Sequence, residues 1–200
     1  MDEHERRYYD RRAPEYDDWW LGNRLHADAE RPGWDEERAR LERFVAGLPP
    51  ARTLDVACGT GFLTRHLRGD VTGVDQSDAM LAVARKRVPT ARFVRADALA
   101  LPFEDGAFER VFTSHFYHHL HAPLRERFLD EARRVATELV FVDSARRPDT
   151  PPEEVVERRL SDGSVHRVYK RWLEPEELAR EIDGEAVFAG AWFVAAVAHS

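Results

Sequence analysis

Cysteine is nearly missing from this chain. Cys58 is the single example in 200 residues, which excludes an internal disulfide and suits a reducing compartment, so a cytoplasmic location is expected. No apolar run is long enough to cross a bilayer, and the charged opening residues Met1 to Arg7 lead into no apolar signal region, so neither a membrane partner nor secretion is expected. Lysine is scarce as well, present only as Lys86 and Lys170, and the arginine that replaces it reads as compositional bias rather than as a binding signal. Positive charge is itself in deficit: 30 Lys and Arg stand against 37 Asp and Glu, and the net charge of −7 argues against a nucleic acid as partner. Internal repeats and low-complexity tracts are lacking too.

What remains is 43% hydrophobic content over a length that supports one soluble domain with a substantial core. Its organising stretch is Thr53-Leu54-Asp55-Val56-Ala57-Cys58-Gly59-Thr60-Gly61, an apolar run that reads as a buried parallel strand followed by a glycine turn. The turn should lead into a helix through Phe62, Leu63 and Leu67, closed at Gly69, with backbone N–H groups facing whatever binds above the strand. A carboxylate at Asp55 on that rim argues against phosphate and for a ligand with a cationic or hydroxyl-bearing end, since two anions at close range repel.

Along the rest of the chain, residues 35–48 carry Leu41, Phe44, Val45 and Leu48 at helical spacing, and Pro49 and Pro50 stop that helix. A second strand ends at Asp75, Ser77 is a good N-cap for a helix over 78–87, and a third strand ends at Asp97. The fourth strand, 110–114, delivers His115, His118, His119 and His121 to the same rim, and Pro123 opens a helix with Leu124, Phe128, Ala132 and Val135 on one face. A fifth strand covers 139–143. Two β-rich runs around Asp162-Gly163 read as a hairpin, expected to cap an acceptor site or to form a homodimer contact. A helix from Glu174 and a closing antiparallel pair follow.

Strands closed by Asp55, Asp75 and Asp97 set three carboxylates along one edge of an open parallel sheet, the edge where such sheets bind ligands. The run Leu-Asp-Val-Ala-Cys-Gly-Thr-Gly, together with Asp97-Ala98-Leu99-Ala100-Leu101-Pro102-Phe103, resembles the class I S-adenosylmethionine (SAM) dependent methyltransferases of the small-molecule type. One departure is Ala57, which stands at the first glycine position of the family's commonest loop. The resemblance implies an α/β, Rossmann-like doubly wound fold: a mostly parallel seven-stranded sheet with an antiparallel C-terminal strand. It implies a single domain over 1–200, with a helical lid over 1–50, a cofactor core over 51–145, a hairpin insertion over 153–172 and a closing helix and strand pair over 174–200. It also implies SAM as cofactor, with Asp55, Ala57, Cys58, Gly59, Gly61, Gln76 and Ser114 among the residues that bind it. Asp75 would lie at the ribose, Met80 against the base, and Asp97 and Ala98 at the base edge. The aromatic segment 8–21 would fold over the cofactor and bring Tyr16, and less directly Tyr8 and Tyr9, onto it. The other reading of that segment is a surface helix whose aromatics pack on the sheet.

A dinucleotide oxidoreductase is the competing enzyme class. Read as Gly-x-Gly-x-x-Gly from Gly59, its third position is Thr64, whose branched side chain would obstruct the close packing that glycine provides there. For methyl transfer, His115 is the first candidate for a base or acceptor-orienting group, with His118 and His119 behind it; the alternative is that these histidines have no proton role. No pair of acids accompanies them locally, so no metal site is expected. Ser114-His115-Phe116-Tyr117 is not the Asn- or Asp-Pro-Pro-aromatic run of amino methylation on bases, and no Pro-Cys pair supplies a cytosine C5 nucleophile. A small organic acceptor lined by Phe116, Tyr117, Tyr169 and Trp172 is therefore expected. A non-catalytic SAM-binding or partner-activating protein of the same fold stays open beside it.

Overall fold

The computed structural model describes residues 3–27 and 30–199. Its strands are β1 (Ala51–Val56), β2 (Gly69–Asp75), β3 (Arg92–Arg95), β4 (Arg110–Ser114), β5 (Glu138–Ser144), β6 (Glu153–Arg159), β7 (Val165–Arg171), β8 (Glu185–Ala189) and β9 (Phe193–His199). Seven of them form one sheet in the order β3-β2-β1-β4-β5-β9-β8, and β6 and β7 form a separate antiparallel pair. The first five run parallel, whereas β9 is antiparallel to both of its neighbours, as the sequence leads one to expect. Because β1 lies between β2 and β4, the strand order reverses there, and the crevice above the C-terminal ends of these strands is the natural ligand site.

Alternation along the central strands builds two cores, because successive side chains in a strand point to opposite faces. Val111, Leu139, Phe141 and Ala196 face α5 (Ala122–Val135) and α6 (Pro175–Glu181). Their neighbours Phe112, Val140, Val142 and Ala195 face Leu41 and Val45 of α3 (Trp34–Gly47), with Trp20 and Trp34 over them. Ahead of α3, the N-terminal segment consists of α1 (Glu3–Arg12), a 3-10 turn and the short α2 (Asp18–Leu21). A buried carboxylate fastens α3 to the far end of the sheet. Glu37 accepts from the N–H groups of Ala191, Trp192 and Phe193 at 2.8–2.9 Å, and a Cβ on Gly190 would lie 2.0 Å from Glu37 Oε1, so the turn between β8 and β9 requires glycine.

One expected element is different. Instead of a helix through Phe62, Leu63 and Leu67, the chain makes a single 3-10 turn, Thr64–His66. Residues 57–61 are consumed by the loop, and Phe62 and Leu63 are pinned in the core at 3% and 2% exposure. Too little chain then remains before β2 starts at Gly69 to wind further. The helix after β2 is as expected: α4 (Asp78–Arg87) begins where Ser77 Oγ accepts the Met80 N–H at 3.1 Å.

Candidate active site

The loop leaving β1 reverses through three left-handed residues, Ala57 (φ 57°), Gly59 (φ 53°) and Gly61 (φ 74°). Its Gly59 N–H donates to Asp75 Oδ2 at 3.0 Å, while Ser77 N–H donates to Asp75 Oδ1 at 2.8 Å, so one carboxylate ties together the loops after β1 and β2. Burial pushes the Asp75 carboxyl up to about 6 against the pull of those N–H donors. Asp55 lies deeper. Its Oδ2 accepts from Thr64 Oγ1 at 2.5 Å, its Oδ1 is buried with no hydrogen-bond partner, and burial pushes its carboxyl up to about 7. Thr64, the residue that disqualified the dinucleotide fingerprint, thus serves Asp55.

An open cavity, about 1130 Å³ with the solvent space at its mouth counted, lies above these strand ends. Of the residues singled out from the sequence, Tyr16, Ala57, Gly59, Asp75, Gln76, Met80, Asp97, Ala98, His115 and His119 line it, joined by Tyr8 and Tyr9. Asp55, Cys58, Gly61, Ser114 and His118 are not on its wall. Cys58 is turned the other way, into a cluster with Leu81, Ala84 and Phe93, and its Sγ would lie 3.0 Å from a Cβ on Gly73. Gly61 serves packing on α4, where a Cβ would approach that of Ala84 to 3.3 Å. Among the aromatics expected around an acceptor, Phe116 and Tyr169 line the cavity. Tyr117 is buried in the core with its hydroxyl donating to Glu181 Oε2 at 2.8 Å, and Trp172 is buried away from the wall.

The N-terminal segment covers one side. Tyr16 lies over Gly59, 3.8 Å from where a Cβ would be, and burial raises its hydroxyl to about 12. Three polar ties that no local pattern foretells hold it down. Thr60 Oγ1 donates to Asp17 Oδ1 at 2.6 Å, Arg87 pairs with Asp17 Oδ2, and Ser77 Oγ donates to Asp10 Oδ1 at 2.5 Å. Their partners stand 43 to 70 residues apart in sequence, beyond the reach of any periodicity.

At the other end, His115 departs from β4 in a left-handed conformation (φ 52°), uncommon for a residue with a side chain. Its ring is boxed by Trp19, Trp20 and Phe193 with centroids 4.9–5.6 Å away. Nδ1 lies 3.3 Å from Ser144 Oγ and Nε2 is buried without a partner. His118 and His119 instead form a chain. His119 Nδ1 donates to the Tyr169 carbonyl at 2.7 Å, which leaves its Nε2 as the acceptor facing His118 Nε2 at 2.9 Å, and His118 Nδ1 meets Asp143. Burial lowers all three histidines well below the usual imidazole range and raises Asp143, favouring neutral groups throughout. The acid that the local sequence did not offer these histidines is therefore Asp143, brought from β5. His115, His118 and Asp143 offer ligand atoms within 4.8 Å of one another, but the Asp143 oxygens are taken up by His118 and by the N–H groups of His118 and Ser144.

Fold and rim define a Rossmann-like protein with a site for a nucleoside-bearing cofactor. A family model described as a methyltransferase domain matches residues 54–138. The demethylmenaquinone methyltransferase of Thermotoga maritima is 34% identical over 137 residues, 66% of this chain and 56% of that protein. The malonyl-[acyl-carrier protein] O-methyltransferase of Halorhodospira halophila is 37% identical over 118 residues, 54% of this chain and 37% of that protein. The chain thus spans about half or less of the length of the curated relatives it matches. Among solved structures, the DhpI-SAM-HEP complex aligns over 100% of both chains with TM-score 0.78 and 28% identity, and the DhpI-SAH complex over 96% of this chain and 93% of that one with TM-score 0.74 and 27% identity. The matched segment is similar to methyltransferase domains, and the two solved structures that align over nearly the whole chain are complexes with SAH and with SAM. The cavity suits that molecule: two strand-end carboxylates, the Met80 thioether, a side-chain-free approach at Gly59 and, beneath the loop, a buried carboxylate oxygen at Asp55 still lacking a donor.

Proposed function

We propose that the protein transfers the methyl group of SAM to a small organic acceptor held at the histidine end of the cavity. The observation that carries this reading is continuity: one cavity runs from Asp75, Met80 and Asp97 to His115, Phe116 and Tyr169 under a pinned lid. In this reading Asp75 accepts from the ribose hydroxyls with the lone pairs its two N–H donors leave over, and Met80 lies against the base. The spare oxygen of Asp97 and the Ala98 N–H read the base edge, while Asp55 Oδ1 takes a donor from the ammonium-bearing end. The cofactor supplies a methyl group already activated on a sulfonium, so the chain's own task is to align the acceptor, exclude water and take up a proton where one must leave. His115 is the residue for that last step, because its neutral ring keeps an unpaired Nε2. His118 and His119, with every ring nitrogen engaged, position the hairpin instead. The whole chain acts as one domain, with residues 1–50 as lid, 51–145 as cofactor core, 153–172 as hairpin and 174–200 closing the sheet.

Two measurements test the reading. Asp75→Ala should weaken SAM binding by about 1–3 kcal/mol through lost charge-assisted hydrogen bonds, and unchanged affinity by calorimetry counts against the assignment. Incubation with SAM and a broad panel of small acceptors should yield S-adenosylhomocysteine (SAH). Tight cofactor binding with no SAH from any acceptor would favour a non-catalytic SAM binder.

A further inference from the structure

The molecule as a whole is acidic, yet a group of cations gathers beside the cavity and makes no ion pair among the described residues, although carboxylates stand nearby. Alternation along the hairpin puts Glu154, Val156 and Arg158 of β6 and His166, Val168 and Lys170 of β7 on one face, with Arg158 opposite His166 and the exposed Glu154 opposite Lys170. Val168 on that face lines the main cavity, and His166 packs against Tyr8 with ring centroids 4.9 Å apart. Arg12, from the N-terminal segment, donates to the Tyr8 hydroxyl at 2.7 Å, and Arg12 and Arg158 line, together with Glu15 and Asp18, a second open pocket of about 370 Å³ counting the solvent at its mouth, which shares Tyr8 with the first.

Among the described residues, none of Lys170, Arg158 and Arg12 forms a salt bridge. Lys170 is 6% exposed, with its ammonium 4.8 Å from the Trp172 ring, a face that attracts a cation but accepts no ordinary hydrogen bond. Burial and the charges of Arg158 and Arg12 lower the Lys170 ammonium, and burial with Arg12 lowers the Arg158 guanidinium. The opposing carboxylate, Asp143, is committed to His118 and to backbone N–H groups. Clustering cations in a poorly solvated place is unfavourable unless an anion completes the set.

We propose that Lys170, Arg158 and Arg12 receive an oxyanion, a carboxylate or a phosphate-like group, borne by the methyl acceptor and bound beside the cofactor. This rests on the methyltransferase reading for the acceptor's role, but the receptor itself is tested by binding alone. A planar guanidinium fits two oxygens of such a group, and an ammonium adds a third contact. Tyr8, on the wall of both cavities, is the seam across which the anionic part and the remainder of the acceptor lie.

The test is calorimetric titration of the full chain, with and without saturating SAH, using methylphosphonate and acetate as probes. At least one probe should bind saturably, and binding should weaken about tenfold or more in both Lys170→Met and Arg158→Gln while SAH affinity stays as in the parent. With no anion present, Lys170→Met should melt about 2–4 °C higher than the parent, since a receptor cation is stored at a cost, whereas a merely structural lysine would melt lower when removed. If neither probe binds saturably, or if both variants bind as the parent does, the proposal is overturned. Weak binding by a chloride-sensitive process that both variants retain means an adventitious ion only and overturns it equally. A parent that takes up anions but not SAH would support the receptor and sink the methyltransferase reading.

Discussion

At the scale of single residues, the site depends on a few side chains held in positions that cost stability. Ala57 occupies a left-handed conformation that disfavours a Cβ by about 1 kcal/mol, and the sequence marks it as the departure from the family's glycine. Ala57→Gly should therefore raise the melting temperature by about 2–4 °C while adding room at the cofactor loop, and a fall in melting temperature would show that the methyl group packs usefully. Asp55 is the opposite case. Its type and place were legible in the sequence, but its orphan oxygen and its partnership with Thr64 were not, because they depend on how the loop folds back over the strand end. The histidines show the same limit. Their arrival at the rim follows from the strand before them, whereas which nitrogen stays unpaired was decided by Ser144, Asp143 and Tyr169 from other strands.

Elements carry the next level. The lid segment was legible as aromatic and polar, a composition that suits either a cover or a surface helix. Asp17 and Asp10 tie it to the loop after β1 and to the start of α4, contacts that the composition did not foretell. Tyr16 lies over Gly59 in this arrangement. Asp17→Ala removes the acceptor for both Thr60 and Arg87, so hydrogen exchange of amides in residues 6–21 should speed up by about tenfold, with faster SAH release in stopped flow. Unaltered exchange would mean that aromatic packing alone holds the lid. The hairpin was readable down to its Asp-Gly turn, yet its docking over the cavity rests on the His119 to Tyr169 carbonyl bond and on Glu15 accepting from the Ser161 N–H at 3.1 Å.

For the molecule as a whole, buried titratable groups set opposing pH dependences. Asp55 and Asp75 bind a proton more tightly folded than unfolded, so the stability they contribute is fully present below about pH 4 and is lost as pH rises through about 6 and about 7. His115, His118 and His119 have lowered values, so their contribution is present above about pH 6.5 and is lost on acidification. Asp55→Asn removes one limb. Denaturation should find the variant more stable than the parent by on the order of 2 kcal/mol at pH 8 and equal to it at pH 4, with SAM affinity reduced. An equal difference at both values would show that Asp55 does not titrate in this range.

The strands themselves, the two core faces and the acids at the strand ends follow from features local in the chain, namely alternation, turn residues and strand-end position, whereas the strand order is seen only in the folded sheet. For that reason the architecture, the class of ligand and most of the cavity's wall could be read from the residues in line. The sequence misjudged the stretch after Gly61, where apolar spacing suggests a helix but the short distance to β2 allows one turn. Contacts between distant segments were decided only in three dimensions: Asp143 reaching the histidines, Asp17 tied to Thr60 and Arg87, and Arg12 sharing a pocket wall with Arg158. Long-range electrostatics and burial leave no periodic trace in a chain, since any acid or arginine of suitable reach could have supplied the same contact from elsewhere.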